Sequence, residues 1–123
     1  MSIQIVTKRV YEPYSKSDGY RILVDRLWPR GISKEKSHVD IWFKEISPST
    51  ELRKWFNHEQ EKYGEFKSRY RLELDGKKEL IELFFKELKT KKVTLVFASR
   101  ELKINHAVVL MDYMNTIIKR LKL

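Results

Sequence analysis

Two strand-forming runs constrain this chain more than anything else in it: the unbroken apolar Ile22-Leu23-Val24 within YRILVD, and VTLVF at residues 93–97, the strongest strand in the chain. A strand that faces water on one side alternates apolar and polar residues. A continuous run marks a strand covered on both faces, which is the habit of parallel sheets with layers above and below. The remaining segments fit that frame. IQIVTK at residues 3–8 alternates and reads as a further strand, and YEPYSKSDG at 11–19 is loop chemistry, dense in Pro, Ser, Asp and Gly. Ser33 is placed to cap a short helix beginning KEK. Residues 39–46 fit either period, and their β-branched and aromatic content before Ser47-Pro48-Ser49 favours a strand.

Helices follow. Ser49 is placed as an N-cap, with Leu52, Trp55 and Phe56 on one face. Tyr63, Phe66, Tyr70 and Leu74 recur at helical spacing within 59–74, which Asp75-Gly76 should end. Leu80, Ile81, Phe84 and Leu88 form the stripe of a helix over 77–88. The closing helix, about 105–121, carries Ala107, Leu110, Met111, Met114, Ile117, Ile118 and Leu121 on one face. Strands with helices between them predict a single layered α/β domain over residues 1–123. Its sheet is Rossmann-like, of about four strands, mainly parallel and flanked by helices. A hairpin across the 11–19 loop would make that sheet mixed, and the sequence leaves this open.

Composition narrows the function classes. The chain has 26 Lys+Arg against 17 Asp+Glu, a formal net charge of +9, which suits anionic partners as well as a merely soluble basic surface. The lysines are scattered, with no long basic block. There is no cysteine, hence no disulfide, thiolate nucleophile or cysteine metal site. His38, His58 and His106 lie far apart in no ligating spacing, and the four glycines are isolated, so no resident metal or cofactor is expected. No signal peptide or membrane-length apolar run is present, and the expected location is the cytoplasm.

In open parallel sheets ligands gather beyond the carboxyl ends of the strands. Two loops should sit there: DRLWPRG at 25–31, and Ser99 to His106 before the last helix. The second feeds a helix N-terminus with Asn105 as its cap. The expectation is a pocket for a small anionic ligand: phosphorylated, carboxylated or a nucleotide. Arg26, Arg30 and Arg100 would supply guanidinium groups, and Asp25 would orient an arginine or a ligand donor. Trp28 would stack or act as a lid, and Gly31 would set the loop path. Each element has a plainer reading beside it: surface ion pairs for the arginines, a hydrophobic plug for Trp28, a turn cap for Asp25. His106 is the acid–base candidate beside that pocket, and Ser99 sits where a strand-end nucleophile would, with no base identifiable next to it.

YEP-x6-YRILVDRLWPRGISKEK, ISPSTELRKWF and VTLVFAS-x5-NHAVVL resemble the YeaO-like branch of the domain of unknown function 488 family, from about residue 3 to 118. The resemblance implies a cytoplasmic α/β fold with a Rossmann-like sheet and brings no established activity. Longer relatives tend to show Cys-Ala-Glu at the end of the last strand and Cys-His-Arg at the following helix. Here those places read Phe97-Ala98-Ser99 and Asn105-His106-Ala107, so only the histidine carries over. Two other readings therefore stand beside anion binding: a basic nucleic-acid-binding accessory domain, and an interaction module whose site is vestigial. A monomer and a homodimer are both compatible with the sequence.

Overall fold

The computed structural model describes residues 2–123. Four strands form one sheet: β1 (Gln4–Arg9), β2 (Tyr20–Leu23), β3 (Ile41–Trp42) and β4 (Lys92–Phe97), in the order β1-β4-β2-β3. Every pairing is parallel, so no hairpin joins the first two strands and β4 lies between them. These two runs lie in the two interior strands, and Val93, Leu95, Val96, Ile22, Leu23 and Val24 are all fully buried. The alternating β1 takes an edge, where one flank has no partner strand.

The expected strand over 39–46 shrinks to Ile41–Trp42. The Phe43 N–H still reaches the Leu23 carbonyl at 2.9 Å, but a 3-10 turn at Lys44–Ile46 then carries the chain away. The alternation of Val39, Ile41 and Phe43 behind that expectation holds only from Ile41 on. Ile41 and Phe43 face the main core, while Val39 and Trp42 pack on the other side of the sheet.

Five α-helices complete the chain: α1 (Lys34–Ser37), α2 (Thr50–Phe56), α3 (Tyr63–Asp75), α4 (Lys78–Glu87) and α5 (His106–Leu121). Ser33, Ser49 and Asn105 cap α1, α2 and α5, each accepting a backbone N–H three residues on. Helix α3 begins at Tyr63, the first residue of its apolar pattern, and not at the start of the 59–74 segment. Asn57 and His58 both turn left-handed after α2, and a 3-10 turn over Gln60–Lys62 precedes it. Gly76 ends α3 without a left-handed step, at φ −71°. In α4 the inward face is Ile81 and Phe85, with Phe84 half-buried and Leu80 exposed, a rotation of the stripe read from sequence.

Helices α2 to α5 contribute to one core against Ile3, Ile5, Ile22, Val24, Val93, Leu95 and Phe97. The opposite face is covered differently. Its apolar half, Val10, Leu23 and Val96, is roofed by Trp28, Ile32 and Val39 from the loops after β2. Its polar half is roofed by the 11–19 loop and its 3-10 turn at Lys16–Asp18, with Thr94 Oγ1 donating to the Asp18 carbonyl at 2.7 Å.

Under that roof lies a buried charge cluster. Arg21 is 1% exposed and gives one N–H to Asp18 at 2.6 Å and another to the Ser37 carbonyl at 3.0 Å. Lys8 Nζ approaches both Asp18 carboxylate oxygens at 3.1 Å. The Tyr14 ring lies over the Arg21 guanidinium, and His38 stacks on Tyr14 with ring centres 3.9 Å apart. Arg21 Nε has no partner among the described residues.

At the far side of the helical layer, the Tyr113 hydroxyl donates to Asp75 at 2.8 Å. Partial burial, then that hydrogen bond and the charge of Asp75, push its pKa up to about 12. The folded protein thus holds this proton more tightly than the unfolded chain. The associated stability is fully present below pH 10 and is lost as pH rises toward 12. Urea midpoints measured from pH 9 to 11.5 should fall more steeply for wild type than for Tyr113→Phe.

Among the described residues no helix is long and apolar enough to cross a membrane.

Candidate functional site

An all-parallel sheet places every strand's carboxyl end on one rim, so the loops after β1, β2, β3 and β4 all start there. DRLWPRG and the β4–α5 loop meet at that rim through Asp25 and His106. Asp25 Oδ2 accepts the Ala98 N–H at 2.9 Å, and its main-chain oxygen accepts the Trp42 indole N–H at 2.7 Å. His106 Nε2, at the first turn of α5, lies 2.8 Å from Asp25 Oδ1 and 3.2 Å from the Val24 carbonyl oxygen. The ring N–H lines up better with Val24, so Oδ1 has a close imidazole but no in-line donor. This pair fastens the end of β2 to the start of α5, and both side chains are mostly buried.

The arginines do not share a partner. Arg26 turns to the β3–α2 segment, where Nε donates to the Pro48 carbonyl at 3.0 Å and Nη2 to the Ser47 carbonyl at 3.3 Å. Arg30 is exposed, and only its carbonyl is engaged, by the Tyr11 hydroxyl at 2.9 Å. Arg100 is exposed, and its side chain has no hydrogen-bond or ion-pair partner among the described residues. The arginine that does hold the β4 end was not singled out from sequence. Arg9, paired in register with Phe97, donates from Nε to the Ser99 carbonyl at 2.9 Å and from Nη2 to the Ala98 carbonyl at 3.2 Å. Its place at the last position of an alternating edge strand was the available signal.

Trp28 is packed as a plug. Its indole N–H donates to the Ile32 carbonyl at 2.6 Å and its ring meets Trp42 edge-on at 5.4 Å. Pro29 is buried beside it, and Gly31 turns the loop at φ +75°. Ser99 Oγ accepts the Glu101 N–H at 3.2 Å, a local turn contact. Asn105 is buried and spent on the helix start: Oδ1 accepts the Val108 N–H at 3.0 Å and Nδ2 donates to the Glu101 carbonyl at 2.6 Å. Among the described residues no group of three His, Asp or Glu side chains gathers to hold a metal ion.

A hollow of about 480 Å³ opens on this rim on the helical side of the sheet. Arg26, Glu45, Ile46, Ser47 and Ser49 form one wall; Tyr70, Glu73, Leu74 and Lys77 form the other. Glu73 ties the walls together, accepting the Ser49 N–H at 2.8 Å and the Ser49 hydroxyl at 2.6 Å. Tyr70 is fully buried and donates to the Ile46 carbonyl at 2.5 Å. Burial first, then the negative charges of Glu73 and Asp25, hold its hydroxyl well above the usual tyrosine range, with Arg26 opposing. Sequence reasoning found Arg26 alone of these lining residues. The cross-wall tie is between positions on separate elements, and no local pattern announces it.

Escherichia coli YeaO, an uncharacterized protein, is 44% identical to this chain over 115 residues, which span 94% of this chain and all of YeaO. The uncharacterized Mycobacterium tuberculosis protein Rv3073c and its Mycobacterium bovis counterpart Mb3100c are each 45% identical over 108 residues, 87% of this chain and 90% of theirs. No solved structure matches the chain. The model of a family described as the inactive DUF488-N3 subclade matches residues 4–122. That match, over almost the whole length of a chain with this parallel sheet and this rim, places the protein in the DUF488 family, within its inactive N3 subclade.

Proposed function

We propose that the protein binds a small carboxylate- or phosphate-bearing ligand in the hollow at the carboxyl rim of its sheet, and binds it without turning it over. The observation that carries this reading is the setting of Arg26. Two main-chain carbonyls hold its guanidinium, Arg26 lines the hollow, and no carboxylate at pairing distance neutralises it among the described residues. A guanidinium fixed by neutral acceptors keeps its charge and its remaining N–H groups for an incoming anion, and its fork suits carboxylate and phosphate oxygens. Lys77 on the opposite wall adds a second positive charge.

Binding without turnover is supported from two sides. Ser99 and Asn105 spend their side chains on local turns, and His106 is engaged by Val24 and Asp25. The subclade to which the chain belongs is itself described as inactive. The exposed Arg30 and Arg100 lie on loops that start from the same rim and would raise the local concentration of anions through the field they create.

The test is a thermal-shift panel of inorganic phosphate, dicarboxylates and nucleoside monophosphates at millimolar concentration, followed by calorimetry. At least one anion should stabilise wild type. Arg26→Ala should weaken that anion by ~10–100-fold, the loss of one charge-assisted contact of about 1.5–3 kcal/mol. A panel that leaves wild type unmoved, or affinity unchanged in Arg26→Ala, overturns the reading.

A further inference from the structure

We infer that the rim hollow selects a zwitterion: a ligand carrying a protonated amine as well as its carboxylate or phosphate. This deepens the preceding reading and rests on it. Each wall of the hollow bears one charge of each sign. Arg26 and Glu45 stand on the wall built from the β2 and β3 ends, and Glu73 and Lys77 on the wall built from the end of α3. None of the four takes part in an ion pair among the described residues, although all face one space of about 480 Å³.

The reason they stay apart is built into the fold. Arg26 is held by the Ser47 and Pro48 carbonyls, and Glu73 is held by the N–H and hydroxyl of Ser49. These anchors are neutral, so each fixes a direction and leaves the charge uncompensated. Glu45 sits in the 3-10 turn Lys44–Ile46, and Lys77 in the short junction between α3 and α4. Both are exposed and neither has a side-chain partner among the described residues. A site for a plain anion gains nothing from two carboxylates in its lining, because like charges close to the ligand repel it. A zwitterion uses all four groups: its acid meets Arg26 and Lys77, and its ammonium meets Glu45 and Glu73. The apolar floor of Ile46 and Leu74 leaves room for the carbon skeleton between them.

The experiment compares matched probes that differ only in the amine: glutamate against glutarate, and phosphoethanolamine against ethyl phosphate, by calorimetry on wild type and Glu45→Gln. Glu45 is exposed and unpartnered, so the variant should fold as wild type does. The amine-bearing member of at least one pair should bind wild type 10-fold or more tighter than its counterpart. Glu45→Gln should bring that ratio to within about threefold of unity, with the amine-free member unchanged or improved. Equal binding of both members to wild type overturns the zwitterion and leaves the anion site standing. Binding by neither member of either pair, together with a silent anion panel, removes both. A preference that survives Glu45→Gln intact also overturns the assignment.

Discussion

Replacing Asp18 by Asn should cost about 3–5 kcal/mol of unfolding free energy, a large share of what a domain of this size has. The carboxylate is the only acidic partner of Arg21 and Lys8 among the described residues. Arg21 cannot retreat to water, being 1% exposed beneath Tyr14 and the 11–19 loop. Asparagine keeps the size and removes the charge, so a buried guanidinium is left without compensation. Urea denaturation gives the single-variant cost. The paired substitution Asp18→Asn with Arg21→Met should recover much of it, because a buried charge pair replaced by neutral groups is far less costly than one that is halved.

Acid titration gives the same residue a second signature. Burial alone would raise the Asp18 pKa, but the hydrogen bonds from Lys8, the Ser15 N–H and Arg21 outweigh it and hold the carboxyl below its ordinary 3.8. Its contribution is therefore fully present above pH 3.8 and is lost as pH falls through the lower folded value. Wild type should lose stability over that interval by more than Asp18→Asn does.

The second large effect is Gly19→Ala, expected to destabilise by about 2–5 kcal/mol through a strained backbone and a clash together. Gly19 closes the 3-10 turn at φ +67°, and a Cβ there would stand 2.5 Å from the Lys92 carbonyl oxygen, which is backbone and cannot swing aside. Gly31→Ala is the control. Gly31 also has positive φ, +75°, but a Cβ would meet nothing within 4 Å. Its cost should be only about 1–2 kcal/mol, the conformational penalty alone. Equal urea midpoints for the two variants would show that the 11–19 loop does not press on β4 as described.

What the sequence made legible follows from where information is local. The runs at 22–24 and 93–97 are buried on both faces, and that burial is written residue by residue. The caps Ser33, Ser49 and Asn105 act three residues away and were readable for the same reason. Ile41 and Phe43 carried the right alternation, which Val39 breaks, and still misled over length, because strand length depends on where a neighbour stops. Strand β2 ends at Leu23, and the ladder ends with it.

The site shows the same division. DRLWPRG and the β4–α5 loop do touch, through Asp25, Ala98 and His106, as their positions after adjacent parallel strands require. The aim of Arg26 was not legible. It is set by carbonyls of the β3–α2 segment, which reaches the rim only because β3 lies beside β2. Glu73, half a helix layer away, became a lining residue through its bonds to Ser49.

The sheet order has a consequence for how the molecule comes into being. Strand β4 sits between β1 and β2, yet it is the last strand to leave the ribosome. Until it emerges, β1 has no ladder at all and β2 only the two-residue pairing with β3. Vectorial synthesis cannot build this core piece by piece. Most of the nascent chain must wait, with Ile5, Ile22 and Leu23 unsheltered, for a closing segment that completes everything at once. Any stop before residue 92 leaves β1 unpaired and β2 with nothing but its short pairing to β3.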